Sequence, residues 1–309
     1  MKILSLLPAA TEILCELGLS ESIVGISEEC NYPDNIREKP VASRIKLGAT
    51  NSSKEIDEEL KKIIKNNKSP FVLDRDLIDK LSPDFIITQE TCSVCAVSRN
   101  DALDLNLKAE IIDYSPSDLN GIPNEIVKLA ERLSISKAGQ ELKNKFENEI
   151  NKIKNSTQNV IDRPRVFAME WLDPLYSAGH WVPEMIEIAG GQSGLSISKE
   201  KSKIVNWNQI KEYAPHFIFI MPCGWSIEKT LNDIDCILNN NELNKIPAFN
   251  MGNVYIVDAD SYYTRPSMRI IEGTKLIART ISPQHFSHEP LPDSILNLQN
   301  FIHFESFAG

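Results

Sequence analysis

The 309-residue chain is poor in cysteine and short of positive charge. Six cysteines are too few for the disulfide framework of a small secreted domain, so their positions say more than their number. Lys and Arg number 33 against 43 Asp and Glu, a net charge of −10. That balance argues against nucleic acid or an anionic membrane as the main partner. No apolar run approaches the roughly 20 residues of a membrane span, so no membrane insertion is expected. Several catalytic signatures are also missing: there is no G-x-G-x-x-G, no Walker loop and no H-E-x-x-H, and no G-x-S-x-G elbow.

What is present is the composition of an ordinary globular protein, 42% hydrophobic and 25% charged, long enough for two lobes. The opening MKILSLLPAATEILCELGLS is too interrupted for a secretory leader. Pro8 breaks the apolar run, and Glu12 and Glu16 follow. Cys15 lacks the small residues that precede a lipid-modified cysteine. The segment reads as a buried strand, Lys2 to Leu6, turning into an amphipathic helix, and a cytoplasmic protein is expected.

Short apolar runs alternate with charged helical stretches. Expected strands are Ile3–Leu6, Ser22–Ile26, Asp84–Thr88, Ala109–Ile112, Val166–Met169, Phe217–Met221 and Val254–Val257. Expected helices include Ser53–Lys65, Leu73–Leu81, Glu184–Ala189 and Asn206–Tyr213. Such alternation predicts parallel sheets in an α/β fold. From about Ile122 to Asn155, apolar residues recur at three- and four-residue steps for longer than in a usual domain helix, with a bend allowed at Ser134 to Ser136. The layout is therefore an N-terminal α/β lobe over 1–118, a long bridging helix within 119–160 and a C-terminal α/β lobe over 161–309. The tail after Pro283 is expected to end in a short helix around ILNLQNFIHF.

In open parallel sheets, ligands sit beyond the carboxyl ends of the strands. The unusual residues cluster there: Cys30 after the second run, Cys92 and Cys95 after the third, Glu170 and Trp171 and then His180 and Trp181 after the fifth, Cys223, Gly224 and Trp225 after the sixth, and Asp258, Asp260 and Arg265 after the last. Cys15 and Cys236 fall inside helical stretches and read as core. Cys30, Cys92, Cys95 and Cys223 together suit zinc or an iron–sulfur cluster, because thiolates are soft ligands. The alternatives to that first reading are a ligand-contacting or redox thiol set, or inert buried thiols. His180 is a candidate ligand contact or a helix-entry histidine bonded to backbone. Trp171, Trp181 and Trp225 are candidate cleft walls for a large flat ligand, or lobe core. Glu170 ends an apolar strand, where a carboxylate needs a partner or a task. Arg265 either fixes an anionic group of a ligand or pairs with Asp258 or Asp260. A Cys223–His180 catalytic pair has no support in the spacing.

The segments SLLPAATEILCELGL, IVGISEECNYP, PDFIITQETCSVCAVS, EWLDPLYSAGHWVPEMIEIAGG, MPCGWSIEKT and NVYIVDADSYYTRP resemble the helical-backbone (class III) substrate-binding proteins of ABC transporters. Within them the chain is most similar to the vitamin B12 and iron-siderophore branch and to its leaderless cobalamin-binding subgroup. The resemblance covers nearly the whole chain. It implies two α/β lobes joined by one rigid helix, with the ligand between them. It also implies ligand contacts around Pro8, Ala9, Ala10 and Thr11, at the Cys92–Cys95 loop, at Trp171, at His180 and Trp181, at Cys223, Gly224 and Trp225, and at Arg265. The implied cargo is cobalamin or a related metal chelate, with an ABC transporter as a candidate partner and a binding rather than catalytic role. The alternative is a metalloprotein, an electron carrier or redox enzyme, built on the four cysteines. A thiol-dependent enzyme is a third. Oligomeric state is open.

Overall fold

The computed structural model describes residues 1–48, 50, 52–66, 68–90, 96–286 and 291–301. The N-terminal lobe is a six-stranded sheet in the order β4-β3-β2-β1-β5-β6. Its strands are β1 (Ile3–Ser5), β2 (Ile23–Ser27), β3 (Val41–Ile45), β4 (Phe71–Leu73), β5 (Phe85–Thr88) and β6 (Glu110–Asp113). All pair in parallel except β4, which runs antiparallel to β3. The C-terminal sheet has the order β12-β11-β10-β7-β8-β9, from β7 (Val166–Trp171), β8 (Tyr176–Ser177), β9 (Lys203–Ile204), β10 (Phe217–Ile220), β11 (Val254–Val257) and β12 (Ile295–Asn297). Here β7, β10 and β11 are parallel; β8 and β9 extend the sheet antiparallel beyond β7, with β9 at that edge, and β12 is the antiparallel edge on the other side. Both sheets are thus mixed rather than wholly parallel. The strand order reverses at β1 in one lobe and at β7 in the other, which is where such sheets open a crevice.

The helices of the N-terminal lobe are α1 (Pro8–Glu16), α2 (Ser53–Lys65), α3 (Arg75–Leu81) and α4 (Arg99–Leu103). Pro8 opens α1 at its first turn, where the missing N–H costs nothing. Ser52 caps α2 by accepting from the Glu55 N–H, and Lys62 and Lys65 stand at its carboxyl end. The helix expected over Leu73–Leu81 is divided: β4 ends at Leu73, and Asp74 caps α3 by accepting from the Leu77 N–H.

The bridging segment differs from a single helix. It forms α5 (Gly121–Arg132) and α6 (Ser136–Thr157), and the chain reverses at Ser134, which takes a φ of 60°. The arms pack antiparallel: Lys143 Nζ donates to Asn124 Oδ1 at 2.6 Å. Gly139 permits the approach, since a Cβ there would stand 2.4 Å from Ala130 Cβ. The 22 residues of α6 extend about 33 Å. Lys145 of α6 pairs with Glu16 of α1, while Thr157 Oγ1 donates to the Ile188 carbonyl of the second lobe. Leu142, Phe146, Ile150 and Ile153 bury one stripe in a core that runs from Ile3 and Ile13 to Met185 and Ile277. One helix therefore shares its apolar face with both lobes.

The C-terminal lobe continues with α7 (Val182–Ile188), α8 (Trp207–Tyr213), α9 (Ile227–Leu231), α10 (Asp235–Leu238), α11 (Pro247–Asn250), α12 (Ala259–Tyr262) and α13 (Ile270–Ile281). The ILNLQN stretch, expected as helix, begins as strand β12 against β11. Its first residue, Ile295, is buried in the shared core, and helix begins only at Leu298.

Candidate functional site between the lobes

Residues from the carboxyl ends of both sheets meet at the lobe boundary, where they form two seams. The first is centred on Arg265, which is 7% exposed. Its guanidinium donates to Asp260 Oδ1 at 2.6 Å, to Asn31 Oδ1 at 2.6 Å, to the Glu29 carbonyl at 3.0 Å and to Glu12 Oε1 at 3.3 Å. Asn31 Nδ2 donates in turn to Asp260 Oδ2. Glu12, 3% exposed, also accepts from Ser267 Oγ at 2.5 Å and from Arg269. Burial pushes the Glu12 carboxyl above the usual range, opposed by the Ser267 hydrogen bond and the two arginines. Arg269 stacks over Tyr32 and Tyr262, and Tyr114 donates to the Pro266 carbonyl at 2.7 Å. The pairing expected between Arg265 and Asp260 is present, and the guanidinium is committed to protein groups.

The second seam lies at the start of α2. Trp171 Nε1 donates to the Ser53 carbonyl at 3.1 Å, and the Ser53 N–H donates to Asp233 Oδ2 at 2.8 Å. Ile56 of α2 is buried inside the C-terminal core cluster that holds Met169 and Trp225. Trp171 and Trp225 meet edge to face with centroids 5.1 Å apart.

Two polar residues near the first seam and the Trp225 ring were not singled out in the sequence. Glu29, which follows β2, has its carboxyl pushed up to about 7, chiefly by burial, with Arg265 opposing. Lys229 of α9 lies 4.9 Å above the Trp225 ring. Burial lowers its pKa, while Glu29 and Asp260 pull it back up. Among the described residues no carboxylate lies within ion-pair distance of the Lys229 ammonium.

The remaining expected residues divide between wall and support. Pro8 and Thr11 are buried in the N-terminal lobe; the Thr11 hydroxyl donates to Ser5 Oγ at 2.7 Å and holds α1 from behind. Trp181 is 8% exposed, and its indole N–H donates to the Tyr263 carbonyl at 2.7 Å, so it packs as core. Glu170 is half-buried; its carboxyl accepts from Ser202 Oγ and from the Gly179 N–H, and burial raises its pKa against both bonds. His180 enters α7 with a φ of 53°, its N–H donating to the Glu200 carbonyl. Its Nδ1 has no partner among the described residues, and burial, then Lys201, lowers its pKa. Gly224 is exposed and takes a φ of 71°, a turn that only glycine makes without strain.

Of the four cysteines considered as metal ligands, Cys92 and Cys95 lie outside the described residues. Cys30 is buried, its thiol 3.1 Å from Thr11 Oγ1 and its pKa pushed up to about 11 by burial, which keeps the proton on sulfur at neutral pH. Cys223 is half-buried, and its backbone N–H donates to the Glu170 carbonyl. Among the described residues no group of His, Cys, Asp or Glu has metal-holding geometry. Cys15 is half-buried and packs on the core as expected. Cys236 is exposed instead, because α10 turns it out of the core to face Asp233.

Sequence reasoning missed Glu12, Glu29, Lys229, Ser53 and Asp233 as members of the boundary. Glu12 alone carried a signal: it is a carboxylate in a helix whose neighbours are nearly all apolar, and such a charge needs a buried partner. Asp233 and Ser53 meet across 180 residues and leave no local trace.

A family model described as periplasmic binding protein matches residues 3–261. No curated protein matches the chain. Among solved structures, the chain is similar to a periplasmic heme-binding protein of Roseiflexus sp. RS-1, with 19% identity and a TM-score of 0.69 over 92% of this chain and 99% of that one. It is also similar to the periplasmic vitamin B12-binding protein of Vibrio cholerae, with 19% identity and a TM-score of 0.66 over 93% and 98%. A possible iron-binding periplasmic solute-binding protein of Staphylococcus epidermidis gives 20% identity and a TM-score of 0.68 over 91% and 98%. At these identities the likeness is one of fold. No described helix is long and apolar enough to cross a membrane.

Proposed function

The chain belongs to the periplasmic binding protein family, and from that premise we propose that it is a binding protein for a large planar metal chelate, cobalamin or a heme-type macrocycle, held between the lobes. The observation that carries the reading is the Trp171–Trp225 pair. Two indoles meet edge to face beyond the strand-order reversal of the C-terminal sheet, next to Lys229 and Glu29. Aromatic faces suit the apolar surface of a macrocycle, and a few convergent polar groups suit its rim. Trp171 would form the face of the wall, with Trp225, 2% exposed, packed behind it. Lys229, Glu29, Glu170, His180 and the Cys223–Gly224 turn would meet the periphery. Arg265, Glu12, Thr11, Pro8 and Trp181 would hold the frame. A binding role, an ABC transporter as partner and a cytoplasmic location are parts of the same proposal; fractionation of cells expressing the full chain tests the last.

The test is titration of the purified protein with cyanocobalamin and with hemin, followed by tryptophan quenching and ligand absorbance. Saturation with a Kd of about 1 µM or tighter is the expected result for at least one of them. No quenching and no spectral change with either ligand up to about a hundredfold higher concentration overturns the reading.

A further inference from the structure

The helix α2 belongs by sequence to the N-terminal lobe, between β3 and β4, yet the side it buries is in the other lobe. Its buried residues are Ser53 and Ile56, and Ile56 sits in the C-terminal core cluster, with Leu47 and Leu60 packed against the same cluster. The first turn is held from both directions: Asp233 accepts the Ser53 N–H at 2.8 Å, and Trp171 donates to the Ser53 carbonyl at 3.1 Å. Further along, Asp57 and Lys61 pair at 2.6 Å beside the Tyr176 phenol of β8, whose pKa is raised by burial and then by Asp57. One amphipathic helix of 13 residues thus crosses the lobe boundary and lies on the tryptophan wall.

We propose that α2 is a lid, latched to the C-terminal lobe by Asp233 and Ile56, that covers the Trp171–Trp225 wall and swings away to admit the ligand. The proposal rests on the binding role above, since it describes how access to that site is regulated. The physical case is the contrast in how α2 is fastened. Towards the C-terminal lobe it has two hydrogen bonds at one residue, the buried Ile56 and the partly buried Leu60. These few interactions sit on a single helix, so the latch can open locally without unfolding the cores of either lobe. The occluding groups are those a macrocycle would replace: an apolar plug for an apolar face, and a backbone carbonyl on the Trp171 indole for a polar rim group.

The experiment compares the full-length wild type with Asp233→Ala and Ile56→Ser, neither of which is assigned to the ligand wall. Hydrogen exchange followed by mass spectrometry reads the latch, and stopped-flow quenching with hemin and cyanocobalamin reads access. Exchange in 53–65 is expected to rise about tenfold in each variant, with α13 unchanged, and association to speed up severalfold. Unchanged exchange in 53–65 overturns the latch. Faster exchange with an unchanged association rate overturns the lid. If neither ligand binds any variant, the functional reading fails and the lid with it, while exchange still decides separately whether the latch exists.

Discussion

The two seams that join the lobes are built from different materials. Around Arg265, charges are taken out of water: Arg265 and Glu12 are 7% and 3% exposed, and each has several partners drawn from the opposite lobe. At α2 the joint is two hydrogen bonds from the Ser53 backbone to the Asp233 carboxylate and the Trp171 indole, and an isoleucine. Removing one member of a buried ionic network strands its partners without water, whereas opening a backbone hydrogen bond at a helix start lets water replace it. The first seam acts as a fixed joint, reinforced by the shared face of α6. The second is releasable. A binding protein needs both, a hinge side that keeps register and a mouth that opens.

Predictions follow from the size of that contrast. Arg265→Ala should lower unfolding stability by about 3–5 kcal/mol, because Asp260, Asn31 and the Glu29 carbonyl lose their shared donor and buried Glu12 keeps only Ser267 and Arg269; a urea midpoint within error of wild type breaks the comparison outright. Phe146→Ala, in the face of α6 shared by both lobes, should cost about 3–5 kcal/mol and bring the lobes to unfold separately, visible as two calorimetric transitions where the wild type shows one. Trp171→Ala should weaken ligand binding by about tenfold or more, with stability reduced only modestly because the side chain is half-buried. The pH dependence sharpens the distinction further. Glu29 is raised to about 7 in the folded chain, so the folded state binds more protons than the unfolded state between the ordinary carboxylate value and 7. Stability then falls as pH rises across that window; Glu12 and Glu170 are shifted in the same direction. Melting temperature should fall from pH 5 to pH 8, and Glu29→Gln should flatten the slope. The smallest effect belongs to Asp233→Ala, about 1 kcal/mol in stability. A loss as large as that of Arg265→Ala would mean that the α2 seam is fixed too.

All seven strands read from apolar runs exist, because strands covered by helices on both faces carry near-continuous apolar sequence. The five strands not anticipated include the edge strands β4, β9 and β12 and the two-residue β8. Edges are half-solvated and short, so their residues need no pattern; in β9, Lys203 and Ile204 are both exposed. The long helix expected within 119–160 is there as α6, and the bend allowed at Ser134 to Ser136 is a full reversal into α5. Each arm of the α5–α6 hairpin keeps its own apolar stripe, so the period runs on through the reversal. The bend becomes a reversal through the positive φ of Ser134 and the close approach at Gly139.

At the boundary, strand-end position was enough to flag Trp171 and Arg265, whose hydrogen bonds cross between the lobes, since topology alone decides which loops face the crevice. It could not separate Trp181, whose indole is satisfied inside the lobe, from Trp171, whose indole crosses to Ser53. The amino-acid sequence by itself determined the α/β class and most strands and helices, because those follow from the 2.0 and 3.6 residue periods of hydrogen-bonded backbone. Only the tertiary structure decided that Arg265 is clamped by Glu12 across 253 residues and that α2 lies on the opposite lobe. Partners so far apart are chosen by packing and charge in three dimensions, and such choices leave no repeat in the chain.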